Sequence, residues 1–176
     1  MTCIPIRPAL AADVSAITRI YADAVTHGTA SFELTPPDEA EMARRQQALL
    51  DGGYVYLVAE LDGVLAGYAY AGAYRPRPAY RFSVEDSIYV APKAHRRGVG
   101  RALLAALITE SARRGFRQMV AVIGDSAQAS SIELHRAAGF RMIGAIESVG
   151  FKHGRWLDTV LMQRALGDGD GTLPDG

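Results

Sequence analysis

Ile88-Tyr89-Val90-Ala91-Pro92-Lys93-Ala94-His95-Arg96-Arg97-Gly98-Val99-Gly100-Arg101-Ala102-Leu103-Leu104 is the stretch whose reading decides the fold. An apolar run ends at Val90, a basic loop with two glycines runs from Lys93 to Arg101, and an amphipathic helix opens near Gly100. Strand, basic glycine loop and helix start together make a receptor for a pyrophosphate. A helix N-terminus exposes several unpaired N–H groups and a partial positive charge. Gly98 and Gly100 let the backbone approach phosphate oxygens, and Arg96, Arg97 and Arg101 add full charges. The competing reading is a solvated basic turn before a helix, and the remainder of the chain weighs against it.

Two familiar phosphate loops are excluded. No Gly-Lys-Ser/Thr is present, and the third glycine of a dinucleotide fingerprint would fall on Leu103. What remains is His95-x-x-Gly98-x-Gly100 directly after a strand. This resembles the Gln/Arg-x-x-Gly-x-Gly/Ala loop of the GNAT superfamily of N-acetyltransferases, with His95 in place of Gln or Arg.

The resemblance narrows with three further stretches. These are Val84-Glu85-Asp86-Ser87-Ile88-Tyr89-Val90, Ser131-x-x-Leu134-His135-x-x-x-Gly139-Phe140 and Gly150-Phe151-Lys152-His153-Gly154-Arg155-Trp156-Leu157-Asp158. They are similar to the phosphinothricin and methionine sulfoximine N-acetyltransferase branch, over roughly residues 4–166. Members of that branch acetylate the α-amino group of phosphinothricin, methionine sulfoximine or methionine sulfone. One departure is Gln128, where the family usually has Asn.

Composition agrees with a small-molecule enzyme. The chain has 176 residues, enough for one domain with one good core, and zero formal net charge, which argues against nucleic acid as partner. The single cysteine, Cys3, allows no disulfide within the chain and fits a cytoplasmic location. No apolar run approaches the ~20 residues that span a bilayer, so no membrane is expected. A single domain over residues 1–166 and a disordered tail over 167–176, rich in Gly and Asp, are expected.

The order read from periodicity is strand, two helices, three strands, helix, strand, helix, two strands. Cys3–Arg7 reads as the first strand, Asp13 as the N-cap of the first helix, and Met119–Ile123 as a strand buried on both faces. Asp62-Gly63 marks a hairpin. The fold class is therefore α+β: a central, mostly antiparallel sheet flanked by helices. The resemblance adds that the two central strands splay, as in the GNAT acetyltransferase fold.

Acetyl transfer needs a base for the amine, a donor for the oxyanion and a proton for the thiolate. Glu85, in an apolar strand, is the candidate base, since burial would raise its pKa. The resemblance implies the N–H of Val90 as oxyanion donor. His135 is a candidate acid for the thiolate or a histidine that only packs on the pantetheine arm, and Tyr89 is a weaker acid candidate. Acetyl-CoA is the implied co-substrate, with no metal. It would be held by Ile88, Tyr89 and Val90, by His95, Arg96, Arg97, Gly98, Val99, Gly100 and Arg101, and by Gln128 and Ser131.

The stiff loop from Tyr74 to Arg81 should meet a small amino-acid-like acceptor. Arg75, Arg77 and Tyr80 would bind its anionic end beside Glu85, and Phe32 would wall the pocket. Lys152 and Trp156 are expected at a subunit contact of a homodimer or at the pocket rim. Other acceptors share this fold, among them polyamines, aminoglycosides and protein N-termini. A polyamine site should be acidic, which the arginine loop opposes. A non-catalytic acyl-CoA sensor is opposed by the presence of both Glu85 and His135.

Overall fold

The computed structural model describes residues 4–174, so Cys3 lies outside the described residues. In chain order the elements are β1 (Ile6–Pro8), α1 (Val14–His27), α2 (Glu39–Asp51), β2 (Tyr56–Leu61), β3 (Val64–Ala73), β4 (Ser83–Val90), α3 (Val99–Arg113), β5 (Gln118–Gly124), α4 (Ala129–Ala137), β6 (Arg141–Lys152) and β7 (Arg155–Ala165). The seven strands form one sheet in the order β1-β2-β3-β4-β5-β7-β6. Every neighbouring pair is antiparallel except β4 and β5, which are joined through α3. The α+β reading with one parallel step matches this order.

Local sequence sets the element ends. Asp62 and Gly63 both take positive φ, 54° and 75°, as a two-residue hairpin turn requires, and His153-Gly154 repeats the device between β6 and β7. Asp38 caps α2 by accepting from the Glu41 amide at 2.8 Å. Asp13 does not cap α1 in that way. Its carboxylate turns back to the Leu10 amide at 2.8 Å and to Arg7, whose guanidinium holds it below the ordinary aspartate range. The pull of a forked cation on an adjacent strand outweighs the local cap.

Two cores lie on opposite faces of the sheet. Leu103, Leu104 and Leu107 of α3 are fully buried against Val84, Met119, Ala121 and Met162. Each such side chain contributes roughly 1.5–3 kcal/mol by burial. The other face holds Ile17, Tyr21 and Val25 of α1 with Tyr56, Val58 and Tyr68. Helices α1 and α2 pack on β2, β3 and β4. Strand β5 is therefore not buried on both faces as its apolar run suggested. Met119, Ala121 and Ile123 are buried, but Val122 on the alternate face is exposed.

Gly67 marks the closest approach of α3 to the sheet. A Cβ there would lie 2.8 Å from the Tyr89 carbonyl oxygen, 3.1 Å from Val99 Cγ1 and 3.2 Å from Leu103 Cδ1. Gly67→Ala is expected to destabilise by about 1–3 kcal/mol, the usual cost of overpacking. Calorimetry should show the melting temperature falling by roughly 2–4 °C per kcal/mol. An unchanged melting temperature would mean that this contact has slack.

Candidate active site

The parallel pairing of β4 with β5 runs only from Ser83 opposite Gln118 to Asp86 opposite Ala121. Beyond that rung β4 stays with β3 up to Val90, and β5 stays with β7 up to Gly124. The two central strands thus part. The Ala91 amide bonds Ala66 O, and antiparallel alternation then turns the amides of Ile88 and Val90 away from β3. They face the gap, where no β5 residue pairs with them.

One end of the gap opens at the loop between β4 and α3. The His95 ring bonds the Val90 carbonyl through Nε2 at 2.9 Å and fixes the loop to the strand end. Arg96 and Gly98 both take positive φ, 61° and 87°, which turns the chain sharply before the helix. The first bond into α3 runs from the Ala102 amide to the Gly98 carbonyl. The amides of Val99, Gly100 and Arg101 therefore start the helix without intrahelical partners. Arg96 and Arg101 are exposed, while Arg97 pairs with Asp62 at 3.0 Å. This cradle of amides and cations fits a pyrophosphate.

Alternation along β4 places its two neighbouring acids on opposite faces. Glu85 is half-buried on the α1/α2 face, and burial first, then the charge of Asp86, pushes its carboxyl above the ordinary value, with Arg75 opposing. Tyr89 shares that face. It stacks on Tyr68 at 5.3 Å and meets Tyr21 edge-on at 4.9 Å. Burial and the neighbouring Tyr70 and Tyr21 phenols hold its hydroxyl protonated far above its ordinary range. Arg75, Arg77 and Tyr80 are exposed on the loop leading into β4, with Arg75 over the Tyr74 ring at 5.1 Å and Tyr74 edge-on to Tyr80.

Asp86 points to the α3/α4 face and meets His135 of α4, with Nε2 to Oδ2 at 2.9 Å. His135 is buried, and its Nδ1 donates to Ser131 O at 2.7 Å. Burial works against its charge, but the Asp86 bond and charge and the Ser131 carbonyl carry its pKa above the ordinary value. Gln128 bonds Thr29 Oγ1 through Nε2 at 3.1 Å, so its amide is engaged with the segment after α1.

Segment 28–33 forms a wall that was not foreseen as a unit. Thr29 bonds the buried Asp125 at 3.0 Å, and Asp125 also pairs with Arg155. The Phe32 ring lies against Gly124 and Gly150, where a side chain would collide with it. Lys152, expected at a subunit contact or the rim, is instead buried, with Nζ on the Ser31 carbonyl at 2.7 Å. Trp156 is exposed, edge-on to Phe151 at 5.3 Å. A lysine directly before a hairpin turn looks like a solvated charge in sequence, and only the distant Ser31 reveals its place.

A split parallel pair with an amide cradle at one end defines an acyl-CoA-type acyltransferase fold. The chain belongs to the acetyltransferase (GNAT) family, whose profile matches residues 16–140. It is 57% identical over 163 residues to the phosphinothricin N-acetyltransferase of Alcaligenes faecalis, covering 93% of this chain and 83% of that one. It is 42% identical to the L-methionine sulfoximine/L-methionine sulfone acetyltransferase of Salmonella typhimurium, covering 92% and 94%. A phosphinothricin acetyltransferase from Sinorhizobium meliloti, solved in complex with acetyl-CoA, superposes with a TM-score of 0.96 at 52% identity, covering 99% of this chain and 94% of that one.

The charge of Asp125 yields a pH test. Arg155 first, together with the Ala127 amide and Thr29, holds its carboxyl below the ordinary aspartate value against the cost of burial. A depressed carboxyl stabilises above its unfolded pKa, and the contribution is lost as pH falls through the folded value. Arg155→Met should therefore cost about 1 kcal/mol near neutral pH, a figure reduced for the exposure of the guanidinium. Urea melts should show the gap to wild type closing as the pH drops below about 4. A gap independent of pH would assign the loss to packing instead.

Proposed function

We propose that this enzyme moves the acetyl group of acetyl-CoA onto the α-amino group of a small amino-acid analogue of the phosphinothricin, methionine sulfoximine or methionine sulfone type. The observation that carries this reading is the parting of β4 from β5, with Glu85 on one face of β4. The half-buried Glu85 opens on the face away from the amide cradle, beside the arginine-bearing loop, where an amine with an anionic tail would approach. The named substrates of the relatives agree with that chemistry.

In this reading Ile88, Tyr89 and Val90 hold the pantetheine arm along the gap. Residues 95–101 take the pyrophosphate, with Ser131 and Gln128 flanking the arm. An α-amino group has a pKa near ~8, so much of it is charged at neutral pH and must lose a proton before attack. Glu85 takes that proton, and its raised pKa makes it a stronger base. The amine nitrogen bonds the acetyl carbon while the Val90 N–H donates to the carbonyl oxygen. The carbon–sulfur bond then breaks, and His135 gives a proton to the departing sulfur. Tyr89, with its hydroxyl far above neutral range, is the poorer donor. Arg75, Arg77 and Tyr80 orient the acceptor's anionic group, and Phe32 closes the pocket.

A homodimer in the cytoplasm completes the proposal. Strand β6 is the sheet edge and exposes Ile143, Ile146, Val149 and Phe151, with Trp156 beside them on β7. An apolar edge of this kind is normally covered. Among the described residues no helix is long and apolar enough to cross a membrane, and no cluster of metal-ligating side chains occurs.

Acetyl-CoA at one hundred times its dissociation constant should add about 2.7 kcal/mol to stability, seen as a rise in melting temperature. Gly98→Val should remove the rise, because a branched side chain resists the positive φ that shapes the cradle. No rise for wild type at millimolar acetyl-CoA would sink the assignment.

Glu85→Gln should lower kcat/KM for methionine sulfoximine by roughly 10²–10⁴-fold, with binding of acetyl-CoA unchanged. Wild-type activity should rise with pH through the raised Glu85 pKa, since the base must be ionised. In the variant the defect should shrink above the amine's own pKa. A loss that is equal at every pH would give Glu85 a positioning role only.

A further inference from the structure

Alternation along β4 turns Asp86 away from Glu85. The structure gives that orientation a purpose. Asp86 occupies the last rung of the β4–β5 ladder, opposite Ala121, where the sheet divides. Its side chain is 2% exposed and that of His135 5%, and the two meet at 2.9 Å. Asp86 Oδ1 has no hydrogen-bond partner among the described residues, so the whole interaction runs through Oδ2.

The bonds of His135 fix where its protons lie. Ser131 O is a carbonyl and can only accept, so Nδ1 carries a hydrogen. One more proton lies between Nε2 and Asp86. Against the effect of burial, the Asp86 bond and charge raise the His135 pKa, which favours that proton on nitrogen. The result is an imidazolium facing a carboxylate. Among the described residues no other charge acts closely on the ring. Phe140 packs edge-on at 5.0 Å, Ala121 faces Asp86 from β5, and the further acid acting on the pair, Glu85, lies on the opposite face.

We propose that Asp86 is a positioning residue for acetyl transfer: it supplies the charge that keeps His135 doubly protonated at the root of the split, and holds the Nε2 proton there until the departing sulfur takes it. This rests on the reading of His135 as the thiolate's proton donor. The transfer balances. The carbon–sulfur bond leaves its electron pair on sulfur, the Nε2 proton joins that pair, and His135 becomes neutral with Nδ1–H still on Ser131 O. The proton that Glu85 took from the amine lies on the opposite face of β4, so acid and base do not quench one another. Removing either member of a buried pair leaves the other uncompensated, which ties the proton's position to both residues.

The test reads the ring directly and then the reaction. Nitrogen-15 NMR of the imidazoles, with His135→Gln to assign the signal, should show both ring nitrogens of His135 protonated at about pH 7. In Asp86→Asn the His135 pKa should fall by at least about one unit, since an opposite charge has been removed. The alkaline limb of kcat, where His135 loses its proton, should move down by the same amount, while KM for acetyl-CoA stays within about twofold of wild type. A neutral His135 in wild type overturns the pair, leaves acetyl transfer through Glu85 standing, and can be seen even if the variant does not fold. A charged His135 with an unmoved kcat profile in Asp86→Asn overturns the proton-donor role and this proposal with it. A variant that only melts earlier, with both titrations unchanged, reduces Asp86 to a staple between β4 and α4.

Discussion

The site depends on the place where β4 and β5 stop pairing. Backbone amides next to a gap need partners, and a sheet that divides after four rungs leaves Ile88 and Val90 facing open space. A folded protein leaves few such groups unpaired unless a ligand serves them. The outer ladders hold each half rigid, β4 through β3 and β5 through β7. The gap is therefore a fixed slot between two braced strands.

Period-two alternation then distributes the chemistry. Adjacent positions on β4 deliver Glu85 to a tyrosine-lined face and Asp86 to the face of α3 and α4. Two carboxylates one residue apart thus serve two environments. One is raised by burial and open to the acceptor side, and the other is locked to a histidine. The chain has no net charge, yet Lys93, Arg96, Arg97 and Arg101 cluster at the cradle and Arg75, Arg77 and Arg81 on the loop before β4.

The fold could be read from sequence almost element by element because its signals are local. Asp62-Gly63, Gly98 in the basic loop, and Gly115 and Gly139 after their helices each take the left-handed backbone that such turns demand. Glu85 was legible as a carboxylate in an apolar strand. Asp13 misled, since a residue of N-cap type answered to Arg7 on a neighbouring element instead. Strand β5 misled because an apolar run carries no mark of which face a helix will cover. Lys152, Asp125 and the partner of His135 were out of reach, since each is defined by a contact across 121, 96 or 49 positions of chain.

Those separations have a consequence for folding. Segment 28–33 is held by Gln128 across 99 positions and by His153 across 125, in addition to Lys152 and Asp125. Non-local contacts of this length carry a large loop-closure cost and form late. The 28–33 segment is therefore fixed only after the β6–β7 hairpin has docked, whatever the helices and early strands have done. A nascent chain that has left the ribosome as far as β5 already contains Glu85 and the glycine loop, yet it lacks Lys152, His153 and Arg155, which hold the pocket wall shut. The anchors arrive with the last strands, and a truncation there frees the 28–33 segment in a molecule whose Glu85 is intact.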